Sequence, residues 1–430
     1  MSEHQQEHTE QVDIAIVGAG MVGMTLACLL ADSGLRVRVI EARDSDRQSL
    51  IDAEQQQRNN DFDNRVSALT IASQQILSHA SAWPLMQTMR VTPYTRMDVW
   101  DGEGSGNIQF NCHELQESCL GHIVENRVTL AALYQASLNI PAIEWQSGSR
   151  LTGLSECDAE CDAESLDPSR TLTFDDGSSL KARLVIAADG AMSNTRRLAD
   201  LPMWEWDYGH HAIVTTVHIA EGHQHTCWQR FTDDGPLAFL PVSGSDDQHG
   251  SIVWSTSPDH AKALMELDDD AFCQALERAI EGRLGKVSAP QPRMSVPLRQ
   301  RHASRYVQAG FAAIGDAAHT IHPLAGQGVN LGLLDAAVLA EVILDARANG
   351  ESWQSDYVLH RYQRQRQGEN LKMAASMEGF KRLFATEAPV PRLLRNVGMS
   401  LMNRTPMVKN HIVQQAMGLS GNLPRFARRS

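Results

Sequence analysis

The sequence predicts an α/β protein. A Rossmann-like parallel sheet built from discontinuous segments is joined to a mostly antiparallel sheet and to C-terminal helices. Three observations predict this. An apolar, β-branched run, VDIAIVGAG, ends in Gly18, Gly20 and Gly23, then passes into a helical pattern and a second apolar strand, RVRVIE. Two further apolar runs end in acids, at Asp189-Gly190 and at Gly315-Asp316, far apart in the chain. Short strand-like runs separated by turn residues lie between them.

The first run reads as a buried parallel strand. Gly18 allows the tight turn, Gly20 lets backbone approach a pyrophosphate, and Gly23 permits close helix–strand packing. The helix MVGMTLACLLADSG, closed by Gly34, turns its free N–H groups and positive end toward that phosphate. Glu41, at the end of the second strand, is placed to bind a ribose hydroxyl. This motif does not separate FAD from NAD.

The other two strand ends do. ARLVIAADGAMSNTRR places Asp189, Gly190, Ser193 and Arg196 after a buried strand, and VQAGFAAIGDAAHTIHP does the same with Gly315 and Asp316. Open α/β sheets bind ligands at such strand ends. Three of them, spread over about 300 residues, suggest one long ligand, and FAD is long enough. Asp316 is then expected to accept hydrogen bonds from the ribityl chain, although Asp alone is also a common helix cap. Pro323 would hold a turn beside the flavin ring. Gly326, Gln327 and Gly328 would bring backbone N–H groups to its edge. The helix entered through Val329 and Asn330 would aim its positive end at the pyrimidine side, favouring the anionic reduced ring. His319 and His322 lack a third ligand of suitable spacing, so they are read as pocket or backbone-bonding residues rather than a metal pair. The pairs His210–His211 and His223–His225, in strand-like segments, are read as surface or pocket residues. No metal site is expected.

Length and charge bound the rest. At 430 residues two domains are expected. A cofactor domain is placed at 1–196 and 284–384, a substrate-domain sheet at 197–283, and a basic helical tail at 385–430. No apolar window reaches the length of a membrane span, and the polar N-terminus lacks the features of a signal peptide, so a cytoplasmic location is expected. A net charge of −14 argues against nucleic acid. Seven cysteines without a CxxC pair suggest neither a disulfide framework nor a zinc ribbon. Cys157 and Cys161, in ECDAECDAES, read as a solvated hairpin tip. From Ala388 onward the chain has no acid but several Arg and Lys residues. Such a tail could lie on anionic lipid, on a partner protein, or on this protein's own acidic surface.

Taken together, GxGxxG, the Asp-Gly strand end and GDAAHTIHPLAGQGVNLG resemble the single-component FAD-dependent aromatic hydroxylases. RVSAL at 65–69, GHIVEN at 121–126, WDYGHHA at 206–212, SIVWS at 251–255 and QAMGL at 415–419 resemble the ubiquinone-biosynthesis hydroxylases within that family. WDYGHHA and QAMGL look most like the member acting at ring carbon 5 of a polyprenylphenol. Met192 stands where Asn is more usual. The resemblance implies FAD as cofactor, NAD(P)H and dioxygen as co-substrates, and oxygen transfer to a phenol ring through a flavin hydroperoxide. It implies Arg65, His322 and Pro323 on the flavin side of the active site, with Arg65, Glu125, Asn126 and Arg127 near the cofactor. A ubiquinone-biosynthesis protein complex, a peripheral membrane contact and self-association are the macromolecular partners left open. Other readings are action at another ring position, a prenyl-chain reductase, or a non-catalytic flavin-fold binding protein. Trp204 and Trp206 lack the Ile-Pro that follows such a pair in flavin halogenases.

In the substrate domain, HHAIVTTVHI, HTCWQRF, PLAFLPV and SIVWSTS read as strands laid across the flavin. Trp228, Phe239, Pro241 and Trp254 are candidates for the pocket wall, or plain core residues. There is no Ser-His-Asp set or carboxylate pair, which leaves the redox chemistry to the cofactor.

Overall fold

In strand Glu10–Val17 the residues Ile14, Ala15 and Ile16 are all fully buried, so both faces are covered, as a central parallel strand requires. The computed structural model describes residues 10–55, 61–156 apart from 103 and 105, 168–321, 327–384, 409, 414, 417–418 and 421–429, without the side chains of 53, 55, 327 and 380–384. Around the central strand the first sheet runs in the order Val307–Gln308, Phe311–Ala313, Ser179–Ala187, Glu10–Val17, Val37–Glu41, Ile143–Ser147. Its central pairs are parallel. Strands Arg170–Phe174 and Leu151–Leu154 extend it as an antiparallel branch. Helices Met21–Leu29, Asn126–Leu138 and Gln327–Ala348 pack on it and share its core. All three glycine-bearing strand ends therefore meet at the C-terminal ends of three adjacent parallel strands of one sheet.

The second sheet runs His319–Thr320, Met294–Ala303, Met203–Ile219, His249–Thr256, Gly235–Val242, Thr226–Thr232, Arg96–Asp101, Asn107–Asn111. It is antiparallel except where Thr226–Thr232 lies parallel to Arg96–Asp101. Its composition departs from the domain limits expected above. Segments 96–111 and 294–303 belong to this sheet, although both fall outside 197–283. The 17-residue strand Met203–Ile219 has two edges to satisfy: His249–Thr256 fills one and Met294–Ala303 fills the other. Pairing between such distant segments leaves no mark on local pattern. His223 and His225 also differ from expectation: they sit in the turn before Thr226–Thr232, not in a strand. A third, small sheet of Val66–Leu69, Gly121–Glu125 and Thr92–Tyr94 bridges the other two.

Strand alternation gives the second sheet two roles. Ile213, Leu237, Phe239, Ile252 and Trp254 point to the back, where they form a core with helices Pro258–Glu266 and Asp269–Ala279. The intervening residues face the cofactor domain. Among the described helices none is long and apolar enough to cross a membrane. In the described part of the tail, Lys409 pairs with Glu114 (2.6 Å), Arg425 with Asp345 (2.8 Å) and Arg429 with Glu117 (2.7 Å). These three cations are therefore neutralised by the protein's own surface. The repeat containing Cys157 and Cys161 lies outside the described residues.

Candidate active site

The turn after Glu10–Val17 is shaped by steric limits. Gly18 has φ +108°, and a Cβ there would stand 2.5 Å from the Ala188 carbonyl oxygen. The first glycine is thus demanded by the neighbouring strand end as well as by its own conformation. A Cβ on Gly23 would meet the Gly18 oxygen at 2.3 Å, so helix and turn are in direct contact. Gly20 is different: a Cβ there would meet nothing within 4 Å. Helix Met21–Leu29 begins at Gly20 with no side-chain cap. Open space beside uncapped N–H groups is what a pyrophosphate needs. The Glu41 carboxylate is fixed at the rim, accepting from Ala19 N and Arg43 N, both at 3.1 Å.

The Asp189 carboxylate turns inward. It accepts from the Ser193 hydroxyl, from Thr195 N (3.0 Å) and from Thr195 Oγ1 (2.9 Å), shaping the start of helix Asn194–Leu198. Gly190, at φ +82°, follows with open space around it. Asp189 therefore builds the loop, and the backbone of Gly190 is what the loop leaves exposed. Arg196, capped by the same Ser193, donates to the Ala317 carbonyl (3.3 Å) and so ties the second strand end to the third.

Asp316 is solvent-exposed, yet it lies deep in the protein, where burial pushes its carboxyl upward against the pull of His319, Arg65 and Arg301. An accessible acid at such depth marks the floor of a cleft. The loop that carries it is pinned from behind. Asp335, fully buried on helix Gln327–Ala348, accepts from Gly315 N (3.0 Å), His319 Nε2 (2.5 Å), Arg366 Nε (2.7 Å) and Asn370 Nδ2 (3.3 Å). Its carboxyl is held far below the usual range: burial opposes ionisation, but His319 and Arg366 outweigh it. His319 is thus a buried partner of Asp335, and no group of metal-ligand geometry exists among the described residues. Asp335 and Arg366 were not singled out from sequence. The signal was there: a lone acid in the apolar run NLGLLDAAVLA needs a partner.

The remaining expected residues divide. Arg65 is exposed, its guanidinium has no hydrogen bond or ion pair among the described residues, and it lies near enough to Asp316 to lower its pKa. Asn126 accepts from Ser67 Oγ at 2.6 Å. Arg127 is engaged by acids, with Glu125 at 3.0 Å, Glu54 at 3.4 Å and Asp61 at 3.5 Å. Glu125 is buried within that cluster and also accepts from Arg90. Asn330 is spent on structure: it donates to Ala68 O (2.8 Å) and accepts from Thr70 N and Ser73 Oγ. Gln327, Gly328 and Val329 form the first turn of their helix. His322, Pro323 and Gly326 lie outside the described residues.

Between the cofactor side and the second sheet lies a cavity of ≈ 670 Å³. Arg65 and Asn126 line it on one side. The sheet lines it with Met97, Cys227, Gln229, Pro236, Ala238, Leu240, Val253, Ser255, Ala212, Val214, Met294, Val296 and Leu298, and Met373, Met377 and Met417 close it. This wall is apolar and rich in methionine, which suits a flexible apolar ligand. Of the four residues that could be pocket wall or core, only Trp228 borders the cavity. Phe239 and Trp254 belong to the core behind the sheet, and Pro241 shares the face of Phe239, because neighbours in a strand point to opposite faces.

A family model described as FAD binding domain matches residues 11–374. The chain is 37% identical over 410 residues to the 3-demethoxyubiquinol 3-hydroxylase of Escherichia coli, covering 95% of this chain and 99% of that one. It is 34% identical over 419 residues to a ubiquinone hydroxylase of Rhodospirillum rubrum, covering 97% and 92%. The crystal structure of p-nitrophenol 4-monooxygenase from Pseudomonas putida shares the fold, with a TM-score of 0.73 at 18% identity, covering 96% of this chain and all of that one (100%).

Proposed function

This chain belongs to the FAD binding domain family and, within it, to the ubiquinone-biosynthesis hydroxylases, and from that premise we propose that it hydroxylates the ring of a polyprenylphenol. It is an FAD-dependent aromatic monooxygenase, with NAD(P)H as the reductant typical of the family. The reaction balances as ring C–H, dioxygen, NAD(P)H and a proton giving ring C–OH, water and NAD(P)+. Bound FAD would supply the redox chemistry, taking a hydride equivalent from NAD(P)H and activating dioxygen for transfer of one oxygen atom.

The chain's own residues supply the rest. Gly20, the uncapped helix Met21–Leu29 and the rim acid Glu41 would hold the dinucleotide end. The exposed Gly190 backbone, Gly315 and Asp316 would receive the middle of the cofactor, with Asp335 keeping the last two in place. Arg65, a cation without an ion pair among the described residues, would balance negative charge where the cofactor meets the cavity. Pro323, His322, Gly326, Gln327 and Gly328 stay in the proposal as the turn beside the ring. Arg127 stays only as an indirect support, since acids already engage it.

The observation that carries the substrate reading is the cavity wall. Its apolar, methionine-rich surface has room for a ring and the start of a prenyl chain. It also excludes water from the site of oxygen transfer, which limits wasteful peroxide release. The Escherichia coli relative is named for hydroxylation at ring carbon 3, so the position inferred from sequence resemblance is decided by product analysis. The test is oxygen uptake and product identification with purified FAD-loaded protein, NAD(P)H and a short-chain polyprenylphenol. Oxygen consumption with a new ring hydroxyl is expected. Reduction of the prenyl chain without oxygen uptake would overturn the reading in favour of a prenyl-chain reductase.

A further inference from the structure

The cavity face of the second sheet contains a residue that an apolar wall does not need. Gln229 sits on strand Thr226–Thr232 between Val99 and Ala238. It is 7% exposed, it borders the cavity, and its amide has no hydrogen-bond partner among the described residues. Its atoms are not sealed in the core, because they are absent from the orphaned buried groups of the protein. The amide therefore faces the cavity itself. Alternation explains how it gets there: Cys227 and Gln229 share the cavity face, while Trp228 between them packs toward Trp100. Ala238 directly opposite is small, so nothing on that side covers the amide.

A buried amide without a partner is costly, and folded proteins rarely keep one unless a ligand or a trapped water completes it. Two hydroxyls share its situation. Ser255, 2% exposed, lines the same wall, and its hydroxyl has no hydrogen-bond partner among the described residues. Tyr94 lines the cavity, and burial raises its pKa, so its phenol stays a neutral donor. Of the three, only Gln229 carries its donor and its acceptor on two separate atoms of one planar group. A ring with a phenolic hydroxyl needs an acceptor for its proton, and a neighbouring ring oxygen needs a donor.

Resting on the proposed phenol substrate, we infer that Gln229 orients the ring by accepting a hydrogen bond from its phenolic hydroxyl. It thereby selects which ring carbon faces the cofactor side. The apolar remainder of the wall grips the substrate without regard to its rotation about the ring axis. Gln229 makes one rotation better than the others.

The test uses FAD-loaded protein without NAD(P)H, so binding is read apart from turnover. Tryptophan fluorescence reports occupancy, since Trp228 borders the cavity. The probes are a short-chain polyprenylphenol and the same compound with the ring hydroxyl replaced by methyl. Wild type is expected to bind the phenol at least about tenfold more tightly than the methyl compound. Gln229→Met, and Gln229→Leu as a second variant of similar volume, are expected to bind both compounds alike. In turnover, the same variants should make less product per NAD(P)H consumed and yield mixed ring positions. Equal discrimination by wild type and both variants would overturn the assignment of Gln229 while leaving the substrate reading intact. A wild type that binds neither probe would overturn the substrate reading, and this inference with it.

Discussion

Replacing Asp335 by Asn keeps the shape of the side chain and removes its charge from a site with no solvent exposure. The native carboxylate receives four donors, from Gly315, His319, Arg366 and Asn370. An amide has one acceptor oxygen and two donor hydrogens. If its oxygen stays with Arg366, its NH2 faces Gly315 N–H and His319. If it flips, Arg366 is left as a buried cation, at 6% exposure, with only Leu331 O and Asn370 Oδ1 as acceptors. Breaking such a pair by removing one partner costs roughly 3–5 kcal/mol. The expected result for Asp335→Asn is a loss of about that size in urea unfolding of the FAD-free protein. FAD affinity should fall by at least about tenfold in addition, because the displaced Gly315 N–H belongs to the loop that presents Asp316. The pH dependence follows from the sign of the shift. The folded pKa lies below the ordinary value of 3.8, so the contribution of Asp335 is fully present above about pH 4 and is lost as pH falls further. The gap between wild type and variant should therefore stay constant from about pH 5 to 8. Stability within about 1 kcal/mol of wild type, together with unchanged FAD affinity, would refute the reasoning.

Four other outcomes are expected. Gly20→Ala should leave the stability of the FAD-free protein nearly unchanged, since the added methyl meets nothing, but weaken FAD binding about tenfold or more by filling the pyrophosphate approach; Gly18→Ala should instead cost roughly 1–3 kcal/mol of folding stability through its positive φ and the clash with Ala188. Burial pushes the His122 pKa down to about 4 from 6.5, so the unfolded chain binds more protons between those values and stability declines as pH falls through that window, by up to about 3 kcal/mol at pH 4; urea titrations of His122→Gln should show a shallower decline. Lys409→Met removes an ammonium that is 5% exposed and bonded to Glu114 and to the Gln109 carbonyl, and a thermal melt should show a loss of about 1–2 kcal/mol, which an exposed, lipid-facing lysine would not produce.

The parallel sheet was legible because its signals are local. Gly18, Gly20 and Gly23 follow a buried strand, and the acids at 189 and 316 follow two more. The same locality does not show what each acid is used for. Position alone marks Asp189 as a strand-end ligand, whereas its oxygens are used up on Ser193 and Thr195 within its own loop. Asn330 likewise reads as a helix-start contact for the cofactor, but it bonds to Ala68, Thr70 and Ser73, some 260 residues away. No window of sequence can show where a short polar side chain will be spent when its partners are that distant.

The second sheet fails to be legible for a related reason. Strand segments such as HTCWQRF and PLAFLPV announce themselves by alternation, but alternation does not say which face is core and which is cavity. Phe239 and Trp254 could be read from sequence as pocket wall or as core, and they form the core behind the sheet. Large rings bury the most area, so they go where packing is permanent. The sheet's share of the cavity lining is left mostly with Ala, Val, Leu, Met, Cys and Pro, together with Phe110, Trp228, Gln229 and Ser255. That division is physically useful. A rigid aromatic layer holds the sheet in place, and a thinner, softer layer in front of it admits a ligand without a void too costly to keep when the ligand leaves. On this argument a polar residue on the soft face is the informative one, because neither packing nor strand pairing requires it.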